Sequence, residues 1–193
     1  EGRSVSALKL GSNVDNEEDK PNVLVISAHH SREIVTPEVV MGIADLLLDT
    51  STSSRSLLDR ATYWLIPVLN VDGYHFCFAH EPLWRKNRRH LPSGAVGVDL
   101  NRNYPLCFDN PYVSNGFPGS STDACEEDYR GAYPFSEPET RAIRQLVRLH
   151  RPTAILHWHG WGNDLAYPFS YDWRAPMAID ELQLYQELGG EMT

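Results

Sequence analysis

Residues 23–26, Val-Leu-Val-Ile, form an unbroken aliphatic run that ends abruptly in Ser27-Ala28-His29-His30. So short a run of β-branched and aliphatic residues predicts a strand buried on both faces, as in a parallel sheet. Beyond it, Thr36 and Pro37 give a cap and first-turn signal. Val39, Val40, Ile43, Leu46 and Leu47 then recur at helical spacing to about residue 49. Residues 62–69 predict a second strand, closed by turn chemistry in Asn70-Val71-Asp72-Gly73. From 81 to 134 the periodicity is lost in a polar, Gly- and Pro-rich stretch, which in a compact domain predicts functional loops. Ser136 with Glu139 reads as a capping box in front of Ile143, Leu146 and Val147. Residues 153–159 predict a third strand, and 179–188 a final helix that Gly189-Gly190 stops.

Strands alternating with helices predict an α/β/α sandwich around a mixed, mostly parallel twisted sheet. In such folds the loops at the carboxyl ends of the strands collect the chemistry. Thr193 follows the last helix with no further strand, so the sheet is expected to be truncated on its C-terminal side.

Composition narrows the partners. With 193 residues, 41% hydrophobic and 22% charged, the chain fits one globular domain. Its 17 basic and 26 acidic residues give a formal charge of -9, the wrong sign for gripping a polyanion, so no nucleic-acid partner is expected. No apolar run approaches the roughly 20 residues of a membrane helix, so no membrane insertion is expected. A start at Glu1 without methionine fits removal of a leader or pro-segment. Cys77, Cys107 and Cys125 make no C-x-x-C pair, which argues against a cysteine zinc site. Cys107 and Cys125 are a candidate disulfide pair, which would suit an oxidising compartment and hence a secreted protein.

Two histidine clusters stand at predicted strand ends. His30-Ser31-Arg32-Glu33 places an imidazole and a carboxylate, both good zinc ligands, where the chain must turn. Taken alone, the motif is better read as a capped loop with a surface salt bridge. In His157-Trp158-His159, strand alternation puts both imidazoles on one face. One of them completes the three protein ligands that catalytic zinc sites use, and the other is left with a core or supporting role. Between the clusters lie Trp84-Arg85-Lys86-Asn87-Arg88-Arg89 and Asp99-Leu100-Asn101-Arg102-Asn103-Tyr104. A basic run in an acidic protein is usually a solvated loop. Arginine forks nevertheless suit both a terminal carboxylate and a developing oxyanion.

These segments, together with Asn70-Val71-Asp72-Gly73-Tyr74, Gly97-Val98 and Tyr129-Arg130-Gly131, occur in one order from about Pro21 to Phe169. In that order the chain resembles the M14 family of zinc carboxypeptidases, its A- and T-like branch in particular. The resemblance implies one Zn2+ held by His30, Glu33 and His159. His159 is chosen over His157 by its step to Tyr167-Pro168. It further implies that Arg85 polarises the scissile carbonyl and stabilises the oxyanion, that Asn101 and Arg102 hold the substrate's terminal carboxylate, and that Arg32 borders an outer subsite. Trp161 stands where many relatives carry tyrosine, so that subsite is expected to differ.

The family's general-base glutamate and mobile tyrosine lie well beyond the third ligand, and only 34 residues follow His159. Residues 1–193 are therefore expected to be part of a catalytic domain, monomeric, acting on peptide or protein C-termini and inactive alone. The alternatives are a non-catalytic peptide- and zinc-binding module and a related zinc amidohydrolase acting on cell-wall peptides.

Overall fold

The structure is a computed structural model, and it describes residues 2–15, 20–109, 119–169 and 176–192. Four strands form one sheet: β1 (Leu8–Leu10), β2 (Asn22–Ile26), β3 (Thr62–Ile66) and β4 (Ala154–His157), in the order β1-β3-β2-β4. β1 is antiparallel to β3, whereas β3 and β4 both run parallel to β2. β2 is thus the central strand, and its carboxyl end lies between those of β3 and β4.

The aliphatic run of β2 is divided by the strand period. Leu24 and Ile26 face one side with Ile66, Leu69, Leu100 and Ile143, the last from helix α4 (Pro138–His150). Val25 faces the other side with Leu65 and with Val40, Ala44 and Leu47 of helix α1 (Thr36–Leu48). Helix α2 (Thr52–Arg60) adds Leu58 to that second layer. Helices thus cover both faces of a mixed sheet, as the pattern predicts. Leu24, Ile26 and Leu65 are fully buried, and each such side chain stabilises the fold by about 1.5–3 kcal/mol.

Several local expectations are corrected. Asn70-Val71-Asp72-Gly73 is not a free turn but the start of helix α3 (Val71–Ala79), with the Asn70 side chain accepting from the Gly73 amide. The acceptor chemistry that makes Asn a turn residue makes it an N-cap here. The Ser136/Glu139 capping box does not form. The N-cap of α4 is Glu137, one residue later, which makes no side-chain cap bond, and the buried Ser136 hydroxyl donates to Glu137 Oε1. Thr36 does not cap α1 either; it is the first residue of that helix, and its hydroxyl accepts from the Ala28 amide and donates to the Glu33 carbonyl. The second strand stops at Ile66.

The third predicted strand stops at His157, so His159 lies in the loop beyond it. Helix α5 (Ile179–Met192) runs through Gly189-Gly190 rather than stopping there. Cys107 and Cys125 are both free thiols, so the candidate disulfide is not formed. Between α3 and α4 the described residues form loops and one 3-10 turn, Leu100–Arg102, in agreement with the loss of periodicity. No helix among the described residues is long and apolar enough to cross a membrane.

Candidate metal centre

Beyond Ile26 the chain keeps pairing for one residue, with Ser27 N–H donating to the Ile66 carbonyl at 3.0 Å. Ala28 then takes a left-handed conformation, φ 51°, which is uncommon for a residue with a side chain and turns the backbone sharply. Two tight turns follow, Glu33 N–H to His30 O at 3.2 Å and Thr36 N–H to Glu33 O at 3.1 Å. They bring the His30 imidazole and the Glu33 carboxylate together, with Nδ1 2.7 Å from Oε1. From the neighbouring strand, Trp158 N–H donates to Ile26 O at 2.9 Å and extends the β2–β4 ladder. That register delivers His159, whose Nδ1 lies 3.1 Å from Glu33 Oε2. One donor atom from each of His30, Glu33 and His159 therefore falls within 4.8 Å of the others, the one such metal-capable group among the described residues.

The far side of His30 tests whether this donor set suits a metal. Its Nε2 lies 3.3 Å from Oδ1 of Asp99, a carboxylate with no solvent exposure. A ligand histidine typically gives its second ring nitrogen to a carboxylate, which leaves the first nitrogen's lone pair for the ion. The opposed arrangement at His30, with Nδ1 towards Glu33 and Nε2 towards Asp99, fits zinc. Two imidazole nitrogens and one carboxylate also match the ligand set of catalytic zinc sites.

Asp99 does a second job. Its Oδ2 accepts from Arg85 Nε at 3.0 Å and Nη2 at 2.8 Å, and its Oδ1 accepts from the Asn101 amide at 2.9 Å. Burial alone raises the pKa of Asp99, but the His30 imidazole beside it, with the charges of Arg85 and Arg102, lowers it to about 2. Glu33 follows the same logic. Burial pushes it up, and the bonds from His159 and His30 outweigh that, holding it well below the usual carboxylate range. His30 is raised despite its own burial, because Asp99 and Glu33 both stabilise the imidazolium.

His30, Glu33 and His159 open into a cleft of about 590 Å³ that Arg85 and Asn101 also line. Arg32, Ile34, Val35 and Trp161 form its rim, with Arg32 held by Glu127 at 3.1 Å and Trp161 almost wholly exposed. Arg102 sits one residue beyond Asn101 in the same 3-10 turn and does not line the cleft. Its Nη1 donates to the Asn101 carbonyl, and its Nε is buried without a partner. A larger cavity of about 790 Å³ lies at the N-termini of α3 and α4, away from the three ligand atoms.

His157 is not part of the metal-capable group; its ring packs 4.9 Å from that of His29. His29 is fully buried, bonded to the Tyr104 hydroxyl at 2.9 Å, and burial with the neighbouring histidines lowers its pKa. Sequence periodicity reveals neither His29 nor Asp99 as part of the site. Asp99 stands in an aperiodic loop, and only its burial between His30 and Arg85 exposes its role.

Known proteins resemble the chain over most of its length. Carboxypeptidase A6 from Homo sapiens is 34% identical over 177 residues, covering 89% of this chain and 38% of its own length. Carboxypeptidase B from Rattus norvegicus is 31% identical over 188 residues, covering 94% of this chain and 43% of its own length. The chain thus spans about two fifths of the length of these relatives. The crystal structure of carboxypeptidase A from Helicoverpa armigera superposes with a TM-score of 0.78 at 31% identity, covering 95% of this chain and 43% of that one. The family model described as zinc carboxypeptidase (peptidase M14) matches residues 1–191, and the chain accordingly belongs to the zinc carboxypeptidase family.

Proposed function

We propose that residues 1–193 are the zinc-binding and substrate-anchoring part of a catalytic domain that hydrolyses the C-terminal peptide bond of peptides or proteins. The observation that carries this reading is the convergence of His30, Glu33 and His159 on one cleft with Arg85 and Asn101. His30, Glu33 and His159 hold the zinc ion, which contributes Lewis-acid polarisation of the scissile carbonyl and acidification of water. Arg85 points its guanidinium at the oxygen on which charge develops, and Asp99 fixes the guanidinium in place beforehand so that little reorganisation is needed. Asn101 and Arg102 receive the terminal carboxylate, Arg102 by turning its fork from the Asn101 carbonyl towards the cleft.

Glu33 is the one carboxylate lining the cleft among the described residues. Its oxygens are engaged by both imidazoles, and its depressed pKa makes it a poor proton acceptor. We therefore assign no general base among the described residues and expect the chain to bind zinc and substrate without turnover. The same observation favours a second reading, a peptide- and zinc-binding module that hydrolyses nothing.

Binding tests the shared core of both readings. The zinc-loaded chain is titrated with a blocked dipeptide as free acid and as amide. The free acid should bind roughly 10–100-fold tighter, the value of a charge-assisted hydrogen-bond pair, and Arg102→Ala should erase the difference. Equal affinity for acid and amide in the native sequence would refute recognition of a C-terminus.

A further inference from the structure

His30 and Arg85 come from different loops, yet their roles require a fixed separation. Asn70 ties those loops together. It is fully buried, and its Nδ2 donates to the His29 carbonyl at 3.1 Å and to the Lys86 carbonyl at 3.1 Å. The first belongs to the peptide that joins His29 to His30, and the second lies one peptide past Arg85, between Lys86 and Asn87. Its own amide donates to Ala28 O at 3.1 Å, its Oδ1 accepts from Gly73 N–H at 3.0 Å, and its carbonyl accepts from Tyr74 N–H at 2.8 Å. Every polar group of Asn70 is thereby engaged, with both side-chain donors on the two site loops. An N-cap needs only the Oδ1 contact, so the two Nδ2 bonds go beyond what helix α3 requires.

Gly73 makes room for this clasp. A Cβ at residue 73 would stand 2.5 Å from Asn70 Oδ1 and 2.6 Å from the Lys86 carbonyl oxygen. Helix α3 would gain from alanine there, since glycine is among the poorest helix formers. The glycine is therefore better explained by the approach of Asn70 and the Lys86 peptide than by the helix.

We propose that Asn70 is a positioning residue that sets the separation between the metal ligand His30 and the oxyanion-facing Arg85, with Gly73 admitting it. The proposal rests on the metal and oxyanion roles proposed above.

Asn70→Asp keeps the shape of the side chain but turns a carboxylate oxygen, in place of the NH2 group, towards two carbonyls. Its zinc dissociation constant, measured by competition with a chromophoric chelator, should rise roughly 10–100-fold, the usual effect of removing support behind a metal ligand. Arg85→Ala should weaken free-acid dipeptide binding in the native background and have no further effect in Asn70→Asp. Gly73→Ala should lower zinc affinity in the same direction while retaining or increasing helical circular dichroism, a pairing that a purely helical role for this segment does not give. It also carries the test if Asn70→Asp fails to fold.

Zinc affinities within twofold of native for the folded variants, whatever their melting temperatures, would overturn the proposal, provided that His30→Ala loses zinc. If His30→Ala keeps native affinity, the metal reading fails and the proposal fails with it.

Discussion

The two walls of the cleft are built to different standards. On one side, Ser27, His29, Ser31, Asn70 and Asp99 have no exposed surface, and the Ser31 amide and hydroxyl donate to the carbonyls of Arg85 and Trp84 at 3.1 and 2.6 Å. On the other, the loop beyond β4 carries His159 and Gly160 with Trp161, which is 96% exposed, and β4 itself is an edge strand of the described sheet whose Ile155 is 41% exposed. His30, Glu33 and Arg85 are therefore held by a close-packed network. His159 depends on the β2–β4 ladder and its contact with Glu33. Local stability follows buried contacts, so the first wall is the more pre-organised and the second the one held by fewer of them.

Breaking the first wall should have the largest effect. Asp99→Ala leaves Arg85 without its buried partner and should cost about 3–5 kcal/mol in chemical denaturation, the usual range for orphaning one member of a buried ion pair. It should also weaken zinc binding through His30; unaltered stability would mean that Asp99 is not the keystone of that wall. Next comes a matched pair in the two regions. Leu24→Ala, at a fully buried position, should cost about 2–5 kcal/mol, whereas Ile155→Ala on the exposed edge should cost under about 1 kcal/mol. Similar losses in urea titrations would erase the contrast.

A smaller effect probes the seam between the walls. Gly160 lies against Glu33, and a Cβ there would come within 3.0 Å of the Glu33 Cβ and 3.1 Å of its Cγ. Gly160→Ala should push the loop carrying His159 from Glu33 and weaken zinc binding roughly tenfold, with little change in melting temperature. Native affinity by chelator competition would show that the second wall yields freely.

The same contrast explains what was legible in the sequence. Elements that bury an apolar stripe are visible in the pattern: β2 by its aliphatic run, α1 by Val40 and Leu47, although Leu46 of the same predicted stripe is 71% exposed and Ala44 is buried in its place, and α4 by Ile143. Helix α2 did not, because Thr52–Arg60 is Ser-rich with few apolar residues and depends on the Ser51 hydroxyl capping the Ser54 amide. Asn70 carries the same acceptor whether it makes a turn or caps a helix, so only packing distinguished α3 from a loop. His30, Glu33 and His159 were visible as residue types at strand ends, and the family pattern chose among the histidines. Asp99 carries no such signal, since an acid in an aperiodic loop shows its partners only once the chain is folded.

The most direct measurement is zinc stoichiometry by atomic absorption after dialysis, on the native chain and four single variants. The account predicts one zinc per chain for the native protein and His157→Ala, and loss of zinc in His30→Ala, Glu33→Ala and His159→Ala. Retention of zinc by His159→Ala together with its loss from His157→Ala would contradict the account.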